Sequence, residues 1–207
     1  MVDGVEYSMY PPPGALLKVM ERRWAEALIE QGAMRFGNLA TYRRWENAVL
    51  GDPDDGEGMF RMGGHPYETG SMNSVYAWCA SMPTITTDRV LLIAESGKYD
   101  CIMCVHEPLL LIQRIRSALG RASKTFLLHF AEVSYNRGDE VDKQTLNSQK
   151  FHFNVFQKDP QFSPDREYRL SLTDVSLRSK PKEFVDIMVG ECSDIMSIEK
   201  LPNNAMQ

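Results

Sequence analysis

The chain has 207 residues, 43% of them hydrophobic and 25% charged, which is enough apolar material for one sizeable core. Its 23 Lys and Arg against 28 Asp and Glu give a net charge of −5. That balance excludes broad, nonspecific DNA binding, which needs a positive field over a whole face.

No apolar run approaches the roughly 20 residues of a bilayer span, so no membrane partner is expected. The N-terminal MVDGVEYSMYPPPG lacks the basic start and apolar stretch of a signal peptide. These features predict a cytoplasmic protein whose four cysteines, Cys79, Cys101, Cys104 and Cys192, are reduced thiols. The length predicts a single domain over 1–207, with residues 1–13 as an arm and 201–207 as a frayed tail.

The PPPG at 11–14 is a stiff lead into a helix, since proline suits the first turn. Leu16, Leu17, Val19, Met20, Trp24, Ala27, Leu28 and Ile29 recur at helical spacing and predict one helix, stopped at Gln31-Gly32. Ala33–Phe36 predicts a short strand, followed by a short helix from Leu39 to Ala48. Gly51–Gly58 carries strong turn chemistry in Asp52-Pro53 and Asp55-Gly56. Met62–Ser74 is glycine-rich and predicts a second irregular stretch.

Val75–Ala80 is an apolar run suited to a buried strand. Thr87–Ala94 predicts a helix capped by Thr86 or Thr87. Tyr99–Val105 predicts a strand and Glu107–Leu119 a helix closed by Gly120. Lys124–Tyr135, Phe151–Lys158 and Glu167–Thr173 predict three long strands, joined by a polar loop at Arg137–Ser148 and a turn at Asp159–Pro164. Phe184–Val189 and Ile195–Ile198 complete the set. Early helices, late strands and no regular βαβ alternation predict an α+β fold with a mainly antiparallel twisted sheet.

Several patterns bear on chemistry. Met34–Met59 holds Arg35, Arg43, Arg44, Asp52, Asp54, Asp55 and Glu57, a charge density that points to a surface or a ligand site. Cys101-Ile-Met-Cys104 is a CxxC inside a predicted strand, where the spacing sends its sulfurs to opposite faces and no second pair exists; no metal is expected. Asp52–Gly58 has its glycine one place too early for a calcium loop and Gly63 where the twelfth-position glutamate belongs, so it reads as an acidic turn or lid beside a cleft. Of the histidines 65, 106, 129 and 152, only His65, in GGHPY, has the context of a site. No P-loop, GxGxxG or GxSxG occurs, which counts against common triphosphatases, dehydrogenases and serine hydrolases.

Pro164–Leu170 (PDREYRL) places Asp165, Glu167 and Arg169 on one face of a predicted strand, with Arg166, Tyr168 and Leu170 on the other. Two carboxylates so spaced repel unless a cation lies between them, and Arg169 is such a cation. The row reads either as an edge-strand ion ladder or as part of a site.

Arg35-Phe-Gly-Asn-Leu-Ala-Thr-Tyr42-Arg43, Gly51-Asp-Pro-Asp-Asp-Gly-Glu-Gly58, Cys79-Ala-Ser81 and the run Lys158–Leu170 occur in the order seen in an uncharacterised family of bacteria and phages, which this chain resembles over most of 34–170. Arg35, Ser81 and Glu167, with Asp165 as a first acid, also fall in the order of the arginine–serine–glutamate class of ADP-ribosyltransferases. That resemblance implies an ADP-ribosyltransferase-like fold and NAD as substrate, in a transferase or glycohydrolase of phage or bacterial conflict systems. It implies Arg35 clamping the phosphates, Ser81 orienting the nicotinamide ribose and Glu167 stabilising an oxocarbenium-like transition state. Tyr42, His65 and Arg169 join Arg35 as candidate cofactor-binding residues. Asp165 and the Met82-Pro83 that follows Ser81 depart from the class pattern. The alternative is a non-enzymatic factor that holds a nucleotide, a nucleic-acid phosphate or a protein partner through Arg35–Arg44.

Overall fold

The computed structural model describes residues 12, 14–44, 49, 51–70, 74–121, 126–140, 155–175 and 181–202. Its main element is an eight-stranded sheet in which every registered ladder is antiparallel. The strands are β1 (Leu16–Met20), β2 (Ala33–Asn38), β5 (Val75–Ser81), β6 (Cys101–Val105), β7 (Phe126–Glu132), β8 (Glu167–Asp174), β9 (Phe184–Met188) and β10 (Met196–Lys200). A separate hairpin joins β3 (Glu57–Met62) to β4 (His65–Gly70). The helices are α1 (Arg22–Gln31), α2 (Leu39–Tyr42), α3 (Thr87–Gly97) and α4 (Pro108–Arg121), with a 3-10 turn at Pro160–Asp165. The fold is therefore α+β with a mostly antiparallel sheet, as the sequence predicts. No helix among the described residues is long and apolar enough to cross a membrane.

Strand β5 organises the sheet. One of its sides pairs with β8 along its whole length, from Val75–Thr173 to Ser81–Glu167. Its other side serves two strands: Ala77 lies opposite Gly37 of β2, and Ser81 opposite Leu17 of β1. The sheet forks there, one arm running β1–β6–β10 and the other β2–β9. Cys79 lies between the two junctions. Its carbonyl accepts a hydrogen bond from the Lys18 amine, a side-chain donor where a strand partner would otherwise stand.

Cross-strand partners share a face, so the registers sort the side chains. One face carries Leu16, Met34, Phe36, Tyr76, Trp78, Met103, Leu128, Leu170 and Leu172, which form the main core with Ala25 and Leu28 of α1 and Leu111, Ile112, Ile115, Ala118 and Leu119 of α4. The other face carries two smaller clusters. One gathers Leu39 of α2 with Val75, Ala77, Ala131, Val155 and Phe156. The second gathers Val90 of α3 with Ile85 and Ile102, packed by Leu17, Val19 and Ile93.

Three expectations are corrected. The single helix from Leu16 to Gln31 is two elements, because β1 registers with β6 through five residue pairs and Glu21 takes an extended backbone before α1 starts. Pairing in mid-sheet outweighs the helical preference of leucine and methionine. The Pro-rich segment accordingly leads to a strand. Met62–Ser74 is not irregular through Gly70: Gly63 and Gly64, at φ 60° and 79°, make the two-residue turn of the β3–β4 hairpin, and Phe60 stacks on its partner Tyr67 at 5.5 Å. Residues 71–73 lie outside the described set. Within Phe151–Lys158, residues 155–158 form no ladder and make only an isolated bridge, Ser134–Gln157; 151–154 lie outside the described residues, as do 45–48 of the predicted helix to Ala48.

Candidate functional site

The early arginine-containing motif is built so that each residue does a different job. Phe36 enters the main core and Asn38, 3% exposed, caps α2 by accepting the Ala40 N–H at 2.8 Å while donating to the Lys182 carbonyl at 3.0 Å. Leu39 anchors α2 against the sheet. Gly37 lies under the Tyr42 ring, where a Cβ would come within 2.4 Å of the phenol oxygen. The missing side chain lets Tyr42 lie against β5, with its hydroxyl 3.4 Å from the Ala77 carbonyl.

Glycine-rich Gly51–Gly58 is a turn, and two buried arginines hold it. Asp52 closes an Asx turn by accepting the Asp54 N–H at 3.0 Å and also receives Arg137 at 3.0 Å. Asp55 accepts both terminal nitrogens of Arg169, at 2.8 and 3.3 Å. Gly56 turns the chain at φ 80° into β3, where Glu57 meets Arg43.

Strand β8 supplies the other half. Arg169, fully buried, also donates to Glu167 at 2.7 Å and to the Val155 carbonyl at 2.6 Å. The second oxygen of Glu167 receives Lys158 at 2.8 Å, and the Lys158 ammonium lies 5.3 Å over the Phe162 ring. The Glu167 N–H donates to the Tyr135 hydroxyl at 2.7 Å. Thus Asp55, Arg169, Glu167 and Lys158 form one continuous chain of alternating charge. Because β8 lies between β5 and β7, the row is internal, which corrects the edge-ladder reading.

Asp165 does not continue the strand face of Glu167. The strand starts at Glu167, and Arg166 turns the chain at φ 46°. Asp165 therefore pairs with Arg89 of α3, at 2.6–2.7 Å, while Arg89 also donates to the Val49 carbonyl at 3.1 Å.

A cavity of about 160 Å³ opens at the fork of the sheet, between the two small clusters. Its polar lining is Lys18, Tyr42, Asp55, Cys79, Ser81, Tyr99, Lys158, Asp165 and Glu167, and Leu17, Val19, Val49, Ala80 and Ile93 make the apolar wall. The volume matches a single ring-sized group. Ser81 stands directly across from Glu167 in the β5–β8 register.

The environments of the two acids differ in sign. Burial opposes ionisation of Glu167, but Arg169 and Lys158 outweigh it and hold the carboxyl well below the usual range. For Asp165 burial prevails over Lys158 and Arg89, so its carboxyl is shifted up. Burial also lowers Lys18, only partly offset by Cys79 and Glu167, and pushes the Cys79 thiol up to about 12 with help from Glu167. Lys158 goes the other way: burial alone would lower it, and Glu167 and Asp55 carry it upward.

Of the residues singled out in the sequence, Ser81, Asp165, Glu167, Tyr42 and Asp55 meet at the cavity. Arg169 stands behind it with its donors taken up by Asp55, Glu167 and Val155. Arg35 shares the sheet face of Ser81 and Glu167 by register, yet it lies on the other arm of the fork and does not line the cavity. Asp186 holds it at 2.8 and 3.0 Å, and the Trp24 and Phe184 rings flank it at 5.4 and 3.8 Å. His65 is exposed at the start of β4, outside the cavity. Sequence reasoning did not single out Lys18, Arg89, Tyr99 or Lys158. Lys158 had a signal, since it opens the late motif; the others stand alone in their segments.

The four cysteines are unpaired. Among the described residues, no group of three or more His, Cys, Asp or Glu converges as a metal site. No protein family, curated protein or solved structure matches the chain.

Proposed function

We propose that the fork cavity cleaves the nicotinamide–ribose bond of NAD and passes the ADP-ribosyl group to an acceptor or to water. What carries the reading is the pair Asp165 and Glu167, two carboxyls at one ring-sized cavity with their proton affinities driven apart. Glycosidic cleavage asks for that division of labour, one group permanently ionised and one able to hold a proton. The C–N bond breaks with its electron pair leaving on nicotinamide. Glu167 stabilises the positive charge that develops on the ribose, and Ser81, opposite it, orients the sugar. The acceptor oxygen then forms the new bond to the anomeric carbon while Asp165 takes its proton. The remainder of the dinucleotide lies outside a cavity of about 160 Å³.

Incubation with NAD and measurement of released nicotinamide tests this. Glu167→Gln, checked for folding by circular dichroism, is expected to lower release by about 10²–10³-fold, the usual effect of losing one charge-stabilising group. Equal release in wild type and Glu167→Gln removes the assigned role. A second reading is favoured by a different observation, the half-exposed Arg35 between Trp24 and Phe184. Such a cation–aromatic cluster suits a nucleobase and phosphate without turnover. Tight nucleotide binding that Trp24→Ala abolishes, with no nicotinamide released, supports that reading over the first.

A further inference from the structure

We propose that Lys18 is the seat of an anionic group, a carboxylate or a phosphate, on the small ligand that occupies the fork cavity. This inference goes beyond the glycosidic reading and does not depend on any reaction taking place there.

The ion pairs around the cavity leave Lys18 without a carboxylate of its own among the described residues. Glu167 is shared by Arg169 and Lys158, Asp55 is held by Arg169, and Asp165 by Arg89. Every carboxylate of the lining thus has a cation, and Lys18 is the cation left over. Among the described residues no carboxylate lies within ion-pair distance of its amine. Its partners are neutral: the Cys79 carbonyl and the face of Trp78, 5.0 Å from the amine.

Lysine brings three N–H donors to the cavity, and those two partners engage only part of them. Withdrawing an ammonium from water is costly, Glu167 offsets only part of that cost, and a bound anion offsets more of it. The fork explains why the amine is there. Strands β1 and β5 pair at Leu17–Ser81 and separate beyond it, so Lys18 reaches into the gap and not into solvent. By register Lys18 starts on the face of Met103, and at the fork it joins Leu17, Val19, Ile93 and Ser81 in lining the cavity. A ring or short apolar body carrying one anionic group fits a space of about 160 Å³.

Titration calorimetry on the full chain with two probes tests the proposal and separates the two anion types: benzoate for a ring-borne carboxylate, inorganic phosphate for the free ion. One probe is expected to bind with one-to-one stoichiometry, Lys18→Met to weaken it at least tenfold, and Lys18→Arg to retain it. Because Lys18→Met could disturb the fork, amine labelling of the wild type read by peptide mass spectrometry provides an independent measurement. The bound probe is expected to slow labelling of Lys18 and leave the exposed Lys200 unchanged. Equal affinity in a folded Lys18→Met, binding without protection of Lys18, or failure of both probes to bind at millimolar concentration each overturns the proposal.

Discussion

Two bidentate arginine–aspartate pairs in this molecule have similar hydrogen-bond lengths and opposite surroundings. Arg169 meets Asp55 at 2.8 and 3.3 Å with both side chains at most 5% exposed, and Arg35 meets Asp186 at 2.8 and 3.0 Å with both more than 40% exposed. The first joins a loop, β8 and the 155–158 segment into one unit. The second joins neighbouring residues of β2 and β9 that are already paired by backbone. Asp55 of the first pair lines the fork cavity, and neither residue of the second does. Hydrogen-bond length alone would not have told them apart; burial does.

The sharpest way to break this contrast is to remove one partner from each pair. Arg169→Met leaves Asp55 and Glu167 buried without their shared cation and is expected to cost about 3–5 kcal/mol, measured by urea unfolding. A loss as small as that of a surface pair would mean that the network relaxes into water and that the cavity is not built on it.

Acid titration sharpens the same point. The Glu167 carboxyl lies below its ordinary value in the folded chain, so its contribution is fully present above that ordinary value and is lost as pH falls through the depressed one. Asp165 has the opposite sign: folding favours its protonated form, and that contribution fades as pH rises through its raised value. Thermal unfolding across acidic pH is therefore expected to fall on acidification, with a flatter acid limb in Glu167→Gln. An unchanged limb would detach Glu167 from the charge network.

The smallest effect belongs to the exposed pair. Asp186→Asn is expected to cost no more than about 1 kcal/mol, shrinking further in high salt. A cost comparable to Arg169→Met would erase the distinction between the two regions.

The fold class was legible because alternation and capping are local. Val75–Ala80, Thr86 before α3, Phe184–Met188 and Gly32 at the end of α1 all sit where their residue types direct. What failed depended on partners far along the chain. Leu16–Met20 carries residues that suit a helix, and only β6 and β5 make it a strand. The Gly63-Gly64 pair spelled a hairpin turn, but the flanking segments lack the apolar alternation that usually accompanies one.

The site was half legible for the same reason. Asp165, Glu167 and Ser81 lie in recognisable strings and do converge. Lys18 reads as a polar gap in an apolar run, and Arg89 as ordinary helix surface, until the fork brings Lys18 to the cavity and α3 brings Arg89 to Asp165. Arg35, the most conspicuous charge of the early motif, was carried to the other arm by the pairing of β2 with β9.

The fork also bears on how the molecule is assembled. Its junctions, Leu17–Ser81, Gly37–Ala77 and Ser81–Glu167, join segments that lie between residue 17 and residue 167. Contacts of such separation reward the chain only after long loops have closed, which slows folding. The cavity walls come from the same segments, so a half-folded chain has no binding site to offer. Occupancy by any small molecule is then a report on the completed chain, and its binding energy adds to the stability of the whole.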